Sequence, residues 1–209
     1  MSTGSLRGPY KRGIERRRQV VATATEVFGE NGFRGGTLQQ VADRVGGTPA
    51  AVLKLFGSKE KLLIAVLEHW GALTGEIVLQ GSEENAYLDG MSLLMSYHVA
   101  HKGLLQLYTT MAAEASSPQH PAHEFMTHRY RNALSNMSAH FRRASEAGHI
   151  QPLGEEDIVH EAECLLAVMD GLEIQFILNP SFDLEASFAG YVSKVLKRLR
   201  APSAVGATT

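Results

Sequence analysis

The chain has 209 residues, of which 44% are apolar and 20% are charged, and its formal net charge is −2. This composition excludes a largely disordered chain and allows one large domain or two small ones. Because Cys164 is the single cysteine, an internal disulfide and a cysteine-rich zinc site are excluded. The sequence has no apolar run long enough for a membrane span or a secretory signal, so we expect a cytoplasmic protein with no membrane partner.

The charges are distributed unevenly along the chain. Residues 1–63 contain 11 Lys or Arg and 5 Asp or Glu, a balance of +6, and the rest contains 9 and 17, a balance of −8. A basic N-terminal part favours a polyanion as its partner. The alternative interpretation is a chance cluster of basic residues on a solvated helix surface.

Helix start and stop signals dominate the N-terminal part. Thr37 and Gln40 have the spacing of a capping box, and Thr48-Pro49 joins an N-cap residue to a proline suited to the first helical turn. With apolar residues at three- and four-residue spacing and with glycine stops, these signals predict four helices. The predicted boundaries are about Ile14 to Glu30, Thr37 to Gly46-Gly47, Pro49 to about Phe56, and Ser58 to about Leu79.

The short second and third helices, joined by a tight glycine turn, predict a helix-turn-helix. An ordinary helical hairpin within a bundle is the alternative. A hairpin explains the helices but does not explain the positive charge of this part of the chain.

The remainder of the chain also has helical periodicity. The predicted boundaries are Asn85 to His101, Leu104 to Ala115, Pro121 to Gly148, Glu155 to Leu178, and Leu184 to Leu199. We therefore expect an all-α fold of about nine helices. Residues 1–57 are expected to form an N-terminal arm and helix-turn-helix domain, residues 58–200 a second helical domain, and residues 201–209 a disordered tail.

Three stretches of the N-terminal part carry a specific motif. They are VFGENGF at 27–33, TLQQVADRVG at 37–46 and TPAAVLKLFGSKEKL at 48–62. With these residues the sequence resembles the TetR family of bacterial transcriptional regulators. The resemblance implies a homodimer on a palindromic operator in double-stranded DNA, released when a small molecule binds the C-terminal domain. Over that domain, which would bind the effector and form the dimer, the resemblance is one of architecture only.

The resemblance also assigns DNA contacts. The start of the third helix is expected to face base edges, the start of the second and fourth helices to face phosphates, and the basic arm to reach an adjacent groove or backbone. The residues concerned are Arg7, Lys11, Arg12, Thr37, Thr48, Pro49, Ala50, Ala51, Leu53, Lys54 and Lys59.

Three positions depart from the family pattern. Leu53 and Leu55 stand where the family usually has an aromatic residue and a histidine or tyrosine, and Gly47 stands where it usually has an apolar residue. Since Leu53 cannot donate to a phosphate, we expect readout through thymine methyl groups, Lys54 and DNA shape. A helical small-molecule sensor with weak or lost DNA binding is the alternative.

The C-terminal domain offers candidates for an effector site and a dimer interface. Methionines suit an adaptable apolar pocket, and a few polar residues would anchor a small apolar or amphipathic effector. The candidate effector residues are Met91, Met95, His98, Tyr108, Met111, Phe125, Met126, His128, Met137 and Met169. The two apolar C-terminal helices suit a four-helix dimer interface, with Ile158, Leu165, Leu172, Phe176, Phe188, Tyr191 and Val195 as candidates.

Enzymatic and metal-dependent functions find no support in the sequence. His123 and His128 are five residues apart, whereas the zinc-protease pattern needs two histidines four residues apart on one helix face, and His98 and His101, three apart, are better explained as pocket or core residues. No nucleophile, acid–base pair or dinucleotide motif is recognisable. We therefore expect neither an enzyme nor a metal or cofactor site.

Overall fold

The computed structural model describes residues 8–79, 86–179 and 181–200. Within these ranges the chain forms nine α-helices and no strand, apart from an isolated antiparallel bridge between Ile150 and Arg200. The helices are α1 (Gly8–Gly35), α2 (Leu38–Arg44), α3 (Pro49–Phe56), α4 (Lys59–Val78), α5 (Ala86–Ala100), α6 (Lys102–Glu114), α7 (His123–Glu146), α8 (Glu155–Leu178) and α9 (Leu184–Leu199). The predicted all-α fold is confirmed. None of these helices is both long and apolar enough to cross a bilayer.

Helix α1 starts earlier and ends later than its apolar pattern predicts. The predicted stop is real but local, because Gly32 has φ 67° and ψ 173° and interrupts the helical conformation. After this break the chain makes one more turn, in which the Phe33 ring packs edge-on against Phe28 with 5.7 Å between ring centroids. The early start extends helical structure into the basic N-terminal segment.

The predicted caps of α2 and α3 are confirmed. The Gln40 amide donates to Thr37 Oγ1 at 3.1 Å, and the Thr37 amide donates to Gln40 Oε1 at 2.7 Å. At the next helix the Ala51 amide donates to Thr48 Oγ1 at 3.2 Å. Gly46, between the two helices, has φ 64°, a conformation that favours glycine and produces the tight turn.

The chain divides into two compact units. Unit 1 comprises Met1–Thr74 and His101–Phe125, and its described part contains α1, α2, α3, most of α4, and α6. Its buried core includes Phe28, Val52, Phe56, Leu62 and Leu105. Helix α6 packs along α1, so the helix-turn-helix and α6 share one core.

Unit 2 comprises Gly75–Ala100 and Met126–Thr209, and its described part contains α5, most of α7, α8 and α9. Helix α9 packs against both α5 and α8. Phe141, Leu165 and Phe188 are among its fully buried side chains. The functional boundary predicted after residue 57 is not tested by these units and stays a prediction, and the predicted tail 201–209 lies outside the described residues.

Candidate functional site

Helix α3 buries one face and exposes the other. Val52 and Phe56 are buried in unit 1, and Pro49 at the first turn is half-buried. The exposed residues of the helix and its cap are Thr48, Ala50, Ala51, Leu53 and Lys54. The side chain of Leu53 is accessible, with 40% exposure of the residue. The outward surface is thus mostly methyl groups beside one cation, which can contact thymine methyls and a phosphate or a guanine edge.

Two arginines that the sequence analysis did not single out contact the helix-turn-helix from α1. Arg16 Nη1 donates to the Val45 carbonyl oxygen at 2.8 Å, and Arg17 Nη1 donates to the Leu55 carbonyl oxygen at 2.8 Å. The run of three arginines at 16–18 was the available signal, but charge alone does not distinguish a DNA contact from an internal one.

The basic arm and the cap of the second helix are further candidates for DNA contacts. Lys11 and Arg12 are exposed on the first turns of α1, and Thr37 is exposed at the start of α2. Arg7 lies outside the described residues. The DNA contacts expected of these four residues stay predictions.

Lys59 is engaged within unit 1. Its Nζ lies 4.6 Å from the centroid of the Phe33 ring and 6.0 Å from that of Phe28, and it donates to the Arg34 carbonyl oxygen at 3.5 Å. These contacts hold the ammonium group against the end of α1. A phosphate contact by Lys59 stays a prediction.

Part of the positive charge of unit 1 is balanced by acids. Arg44 forms an ion pair with Glu30 at 2.5 Å, and the guanidinium lowers the pKa of the Glu30 carboxyl. Arg34 pairs with Glu114 at 3.5 Å. The positive charge of Lys54 on α3 is therefore more available to a polyanion than the charges of Arg44 and Arg34, which are paired with acids.

The predicted effector residues fall into both units. Met91, Met95, His98, Met126 and Met137 are buried in unit 2, and Met169 is half-buried there. Tyr108, Met111 and Phe125 belong to unit 1. His128 is exposed on α7, contrary to the expectation that it lines an enclosed pocket. Whether the remaining residues bind an effector stays a prediction.

Unit 2 also contains a buried polar cluster, His98, Tyr130, Asp170 and Glu173. His98 Nδ1 lies 2.8 Å from Glu173 Oε1, and both side chains are almost fully buried. The Tyr130 hydroxyl donates to Asp170 Oδ2 at 2.8 Å. Burial, together with the nearby Glu173 carboxylate, raises the pKa of Asp170 to about 6. Only His98 was predicted from the sequence; the available signal for the acids was their three-residue spacing in the largely apolar C-terminal half of α8.

Most of the predicted dimer residues are core residues of unit 2. Ile158, Leu165, Phe176, Phe188 and Val195 are buried within the single chain, and their place in a dimer interface stays a prediction. Leu172 and Tyr191 are half-buried. Ile158, Leu165 and Phe176 lie on the inward face of α8, and Phe188 and Val195 lie on the inward face of α9. The outward face of α8 instead carries Ala167, Gly171, Ile174, Gln175 and Leu178.

The histidines near residue 120 have structural contacts. His120 Nε2 lies 3.6 Å from Glu114 Oε2, and His123 donates from Nδ1 to the Ala115 carbonyl oxygen at 2.7 Å. Both contacts tie the α6–α7 connection to the end of α6. Across the described ranges, no three His, Cys, Asp or Glu side chains are grouped to hold a metal ion.

Comparison with known proteins was made for the sequence and for the fold. Residues 20–66 match the family described as bacterial regulatory proteins, tetR family. The chain is 28% identical over 99 residues to the HTH-type transcriptional repressor NicS of Pseudomonas putida, covering 45% of this chain and 47% of NicS. It is 27% identical over 89 residues to the HTH-type transcriptional repressor AcnR of Corynebacterium diphtheriae, covering 43% and 45%. The chain therefore aligns with about half the length of these curated relatives.

The similarity to known proteins in fold covers more of the chain than the similarity in sequence. A TetR transcription regulator from Haloarcula marismortui superposes with a TM-score of 0.78 at 15% identity, covering 89% of this chain and 98% of that one. The curated relatives are transcriptional repressors and not enzymes. The match to the tetR family of bacterial regulatory proteins thus covers the helix-turn-helix, and the similarity in fold extends through the C-terminal helices.

Proposed function

We propose that the protein is a repressor that binds a palindromic operator in double-stranded DNA as a homodimer and is released by a small effector. The exposed surface of α3 carries this proposal. Ala50, Ala51 and Leu53 project beside Lys54 from a helix whose opposite face is fixed in the core of unit 1. A rigid, exposed and narrow helix of this kind fits the major groove.

The proposed readout is mainly apolar. Methyl groups of Ala50 and Ala51 and the Leu53 side chain would contact thymine methyls, and Lys54 would supply the polar contact. Lys11 and Arg12, exposed on the first turns of α1, would contact the adjacent backbone or minor groove. The operator would therefore contain thymines in each half-site.

The proposed dimer interface is the outward face of α8 together with that of α9. Ile174 and Leu178, in the last turns of α8, are exposed by 44% and 79%, so two large apolar side chains are open to solvent there. Gly171 on α8 and Gly190 on α9 have open space where a side chain would project. Small residues beside exposed apolar ones allow two helix pairs to approach closely in a four-helix arrangement with two-fold symmetry.

The proposed effector is small and apolar or amphipathic, and it binds in unit 2. Met91, Met95, Met126 and Met137 supply polarizable, adaptable side chains. The His98–Glu173 pair supplies polar groups within the same unit. An effector that prefers one arrangement of these helices shifts the population of DNA-binding conformers by its difference in affinity for the two.

The test is selection from a random duplex pool by the purified protein, followed by sequencing of the bound fragments. We expect two thymine-containing half-sites in inverted orientation, with centres about 10 base pairs or a multiple apart. Binding to the selected operator should weaken steeply with salt, because each neutralised phosphate contributes about −0.9 to the slope of log K against log salt.

Two outcomes contradict the proposal. If no duplex is enriched and binding is equally weak at every salt concentration, the alternative of a sensor without DNA binding is correct. If a single unpaired half-site is enriched, the protein does not act as a two-fold dimer.

A further inference from the structure

Arg16 and Arg17, adjacent on α1, contact the C-terminal ends of the two helices of the helix-turn-helix. Arg16 donates to the carbonyl of Val45, the residue at the C-terminal end of α2, and Arg17 donates to the carbonyl of Leu55 in the last turn of α3. The last carbonyls of a helix have no partner within that helix and carry partial negative charge. Each arginine therefore donates to a carbonyl oxygen at the end of a helix, and together they connect α1 to both α2 and α3.

Gly47 completes the contact made by Arg16. A Cβ at Gly47 would lie 2.8 Å from Arg16 Nη2, too close for the two to coexist without displacement. Gly46 has a positive φ, whereas Gly47 does not. A side chain at 47 is therefore opposed by the end of the Arg16 side chain and not by the backbone conformation. The Arg16 guanidinium occupies the volume that a side chain at 47 would need.

Arg17 makes a second contact at the end of α3. Its guanidinium carbon lies 4.1 Å from the centroid of the Phe56 ring. Phe56 is buried in the core of unit 1. The arginine thus holds the end of α3 through the Leu55 carbonyl and through the ring of the next residue.

We propose that Arg16 and Arg17 are positioning residues that set the orientation of α3 for operator recognition, and that they are not phosphate contacts. The proposal rests on the proposed DNA-binding function. It separates these residues from Arg18, whose guanidinium pairs with Glu15 on α1 itself at 2.9 Å. Three neighbouring arginines therefore have two different roles.

Charge-conserving variants distinguish the two roles. Arg16→Lys and Arg17→Lys keep the positive charge but lose the planar fork that reaches a carbonyl while packing against Gly47 or Phe56. We expect about tenfold weaker binding to the selected operator, little change on a scrambled duplex, and an unchanged salt slope. Arg18→Lys is the matched control and should bind like the wild type. Circular dichroism and urea unfolding establish that each variant is folded.

A double-mutant cycle tests the contact between Arg16 and Gly47. Gly47→Ala should weaken operator binding in the wild type, because the new methyl group displaces the guanidinium. In the Arg16→Ala background the same substitution should cause no further loss, since the volume is then empty. The same coupling should appear in urea unfolding.

The outcomes separate this inference from the proposed function. Equal effects of Gly47→Ala in both backgrounds, or lysine variants that bind the operator as tightly as the wild type, would overturn the positioning role while leaving DNA binding intact. If the wild type prefers no duplex at all, the proposed function fails and the positioning role fails with it.

Discussion

Gly103 on α6 lies directly against the backbone of Gly29 on α1. A Cβ at Gly103 would lie 2.3 Å from the Gly29 carbonyl oxygen and 2.9 Å from its carbonyl carbon. At Gly29 a Cβ would instead meet the side chain of Leu104, at 2.9 Å. The two helices therefore cross with no side chain between their backbones, and only one of the two glycines is confined by backbone atoms.

This asymmetry predicts different costs for two alanine substitutions. Gly103→Ala should lower the free energy of unfolding by about 3 kcal/mol, because α6 must move away from α1. Gly29→Ala should cost less, since the Leu104 side chain can change rotamer. Gly75→Ala, where nothing lies near the added methyl, should be neutral or stabilising by about 0.5–1 kcal/mol. Urea unfolding measures all three, and equal losses at 29 and 103 contradict the close crossing.

Substitutions of His98 and Glu173 should have strongly non-additive effects on the free energy of unfolding. Removing either partner leaves the other buried without its counterpart, so His98→Ala and Glu173→Ala should each lower the free energy of unfolding by about 3–5 kcal/mol. Replacing both residues with apolar side chains of similar size, His98→Phe with Glu173→Met, should recover most of this loss. Denaturant unfolding of the two single variants and the double variant checks this. Additive losses would show that the two groups do not act as a pair.

The raised pKa of Asp170 predicts that its substitution stabilises the protein by an amount that depends on pH. Burial raises its pKa from 3.8 to about 6, so the folded state binds the proton more tightly than the unfolded chain does. Ionisation in the fold therefore costs stability, by about 3 kcal/mol above pH 6 and by nothing below pH 4. Asp170→Asn keeps an acceptor for Tyr130 and should be more stable than the wild type at pH 8, with an advantage that disappears near pH 4.

The shifted pKa of His140 changes stability with pH in the opposite direction to that of Asp170, over a similar pH range. The measurement on Asp170 must therefore separate the two effects. Burial, with a contribution from Arg143, lowers the pKa of His140 to about 4. The unfolded chain binds the proton first, so this histidine contributes stability at neutral pH that is lost as pH falls from about 6.5 to 4. The Asp170 effect is therefore read from the difference between Asp170→Asn and wild type at each pH. A difference that does not vary with pH contradicts the raised pKa.

Substitution of Lys54 tests whether its side chain contacts a base or a phosphate. If it contacts a base, Lys54→Ala should weaken operator binding by about 1–3 kcal/mol and scarcely affect a scrambled duplex. Equal losses on both duplexes, with a smaller salt slope, would instead identify a phosphate contact. Fluorescence anisotropy over a salt series distinguishes the two.

The outward face of α8 predicts the site of dimerisation. Ile174→Glu should convert the dimer to a monomer, because a carboxylate would be buried in an apolar interface. Leu93→Glu is the matched control, since Leu93 on α5 has a similar exposure, 46% against 44%. Light scattering after size exclusion gives the mass of each variant. A dimer that survives Ile174→Glu, or that is lost with Leu93→Glu, contradicts this assignment.

Local signals were sufficient for the helices and for the recognition motif. The capping box of Thr37 and Gln40 and the turn at Gly46 depend on contacts within a few residues, so their spacing in the sequence specifies them. The exposure of Lys54 and the burial of Val52 follow from helical periodicity in the same way.

The sequence by itself thus determined the helices, their caps and the similarity of residues 20–66 to bacterial regulatory proteins of the tetR family. Only the tertiary structure decided which apolar face of α8 is covered by the chain itself, because periodicity identifies Phe176 and Ile174 alike as apolar and only packing buries one of them. It also decided that Arg16 and Arg17 hold helix ends, since their acceptors lie 29 and 38 residues away along the chain. Contacts at that distance arise when the helices pack, and no local spacing encodes them.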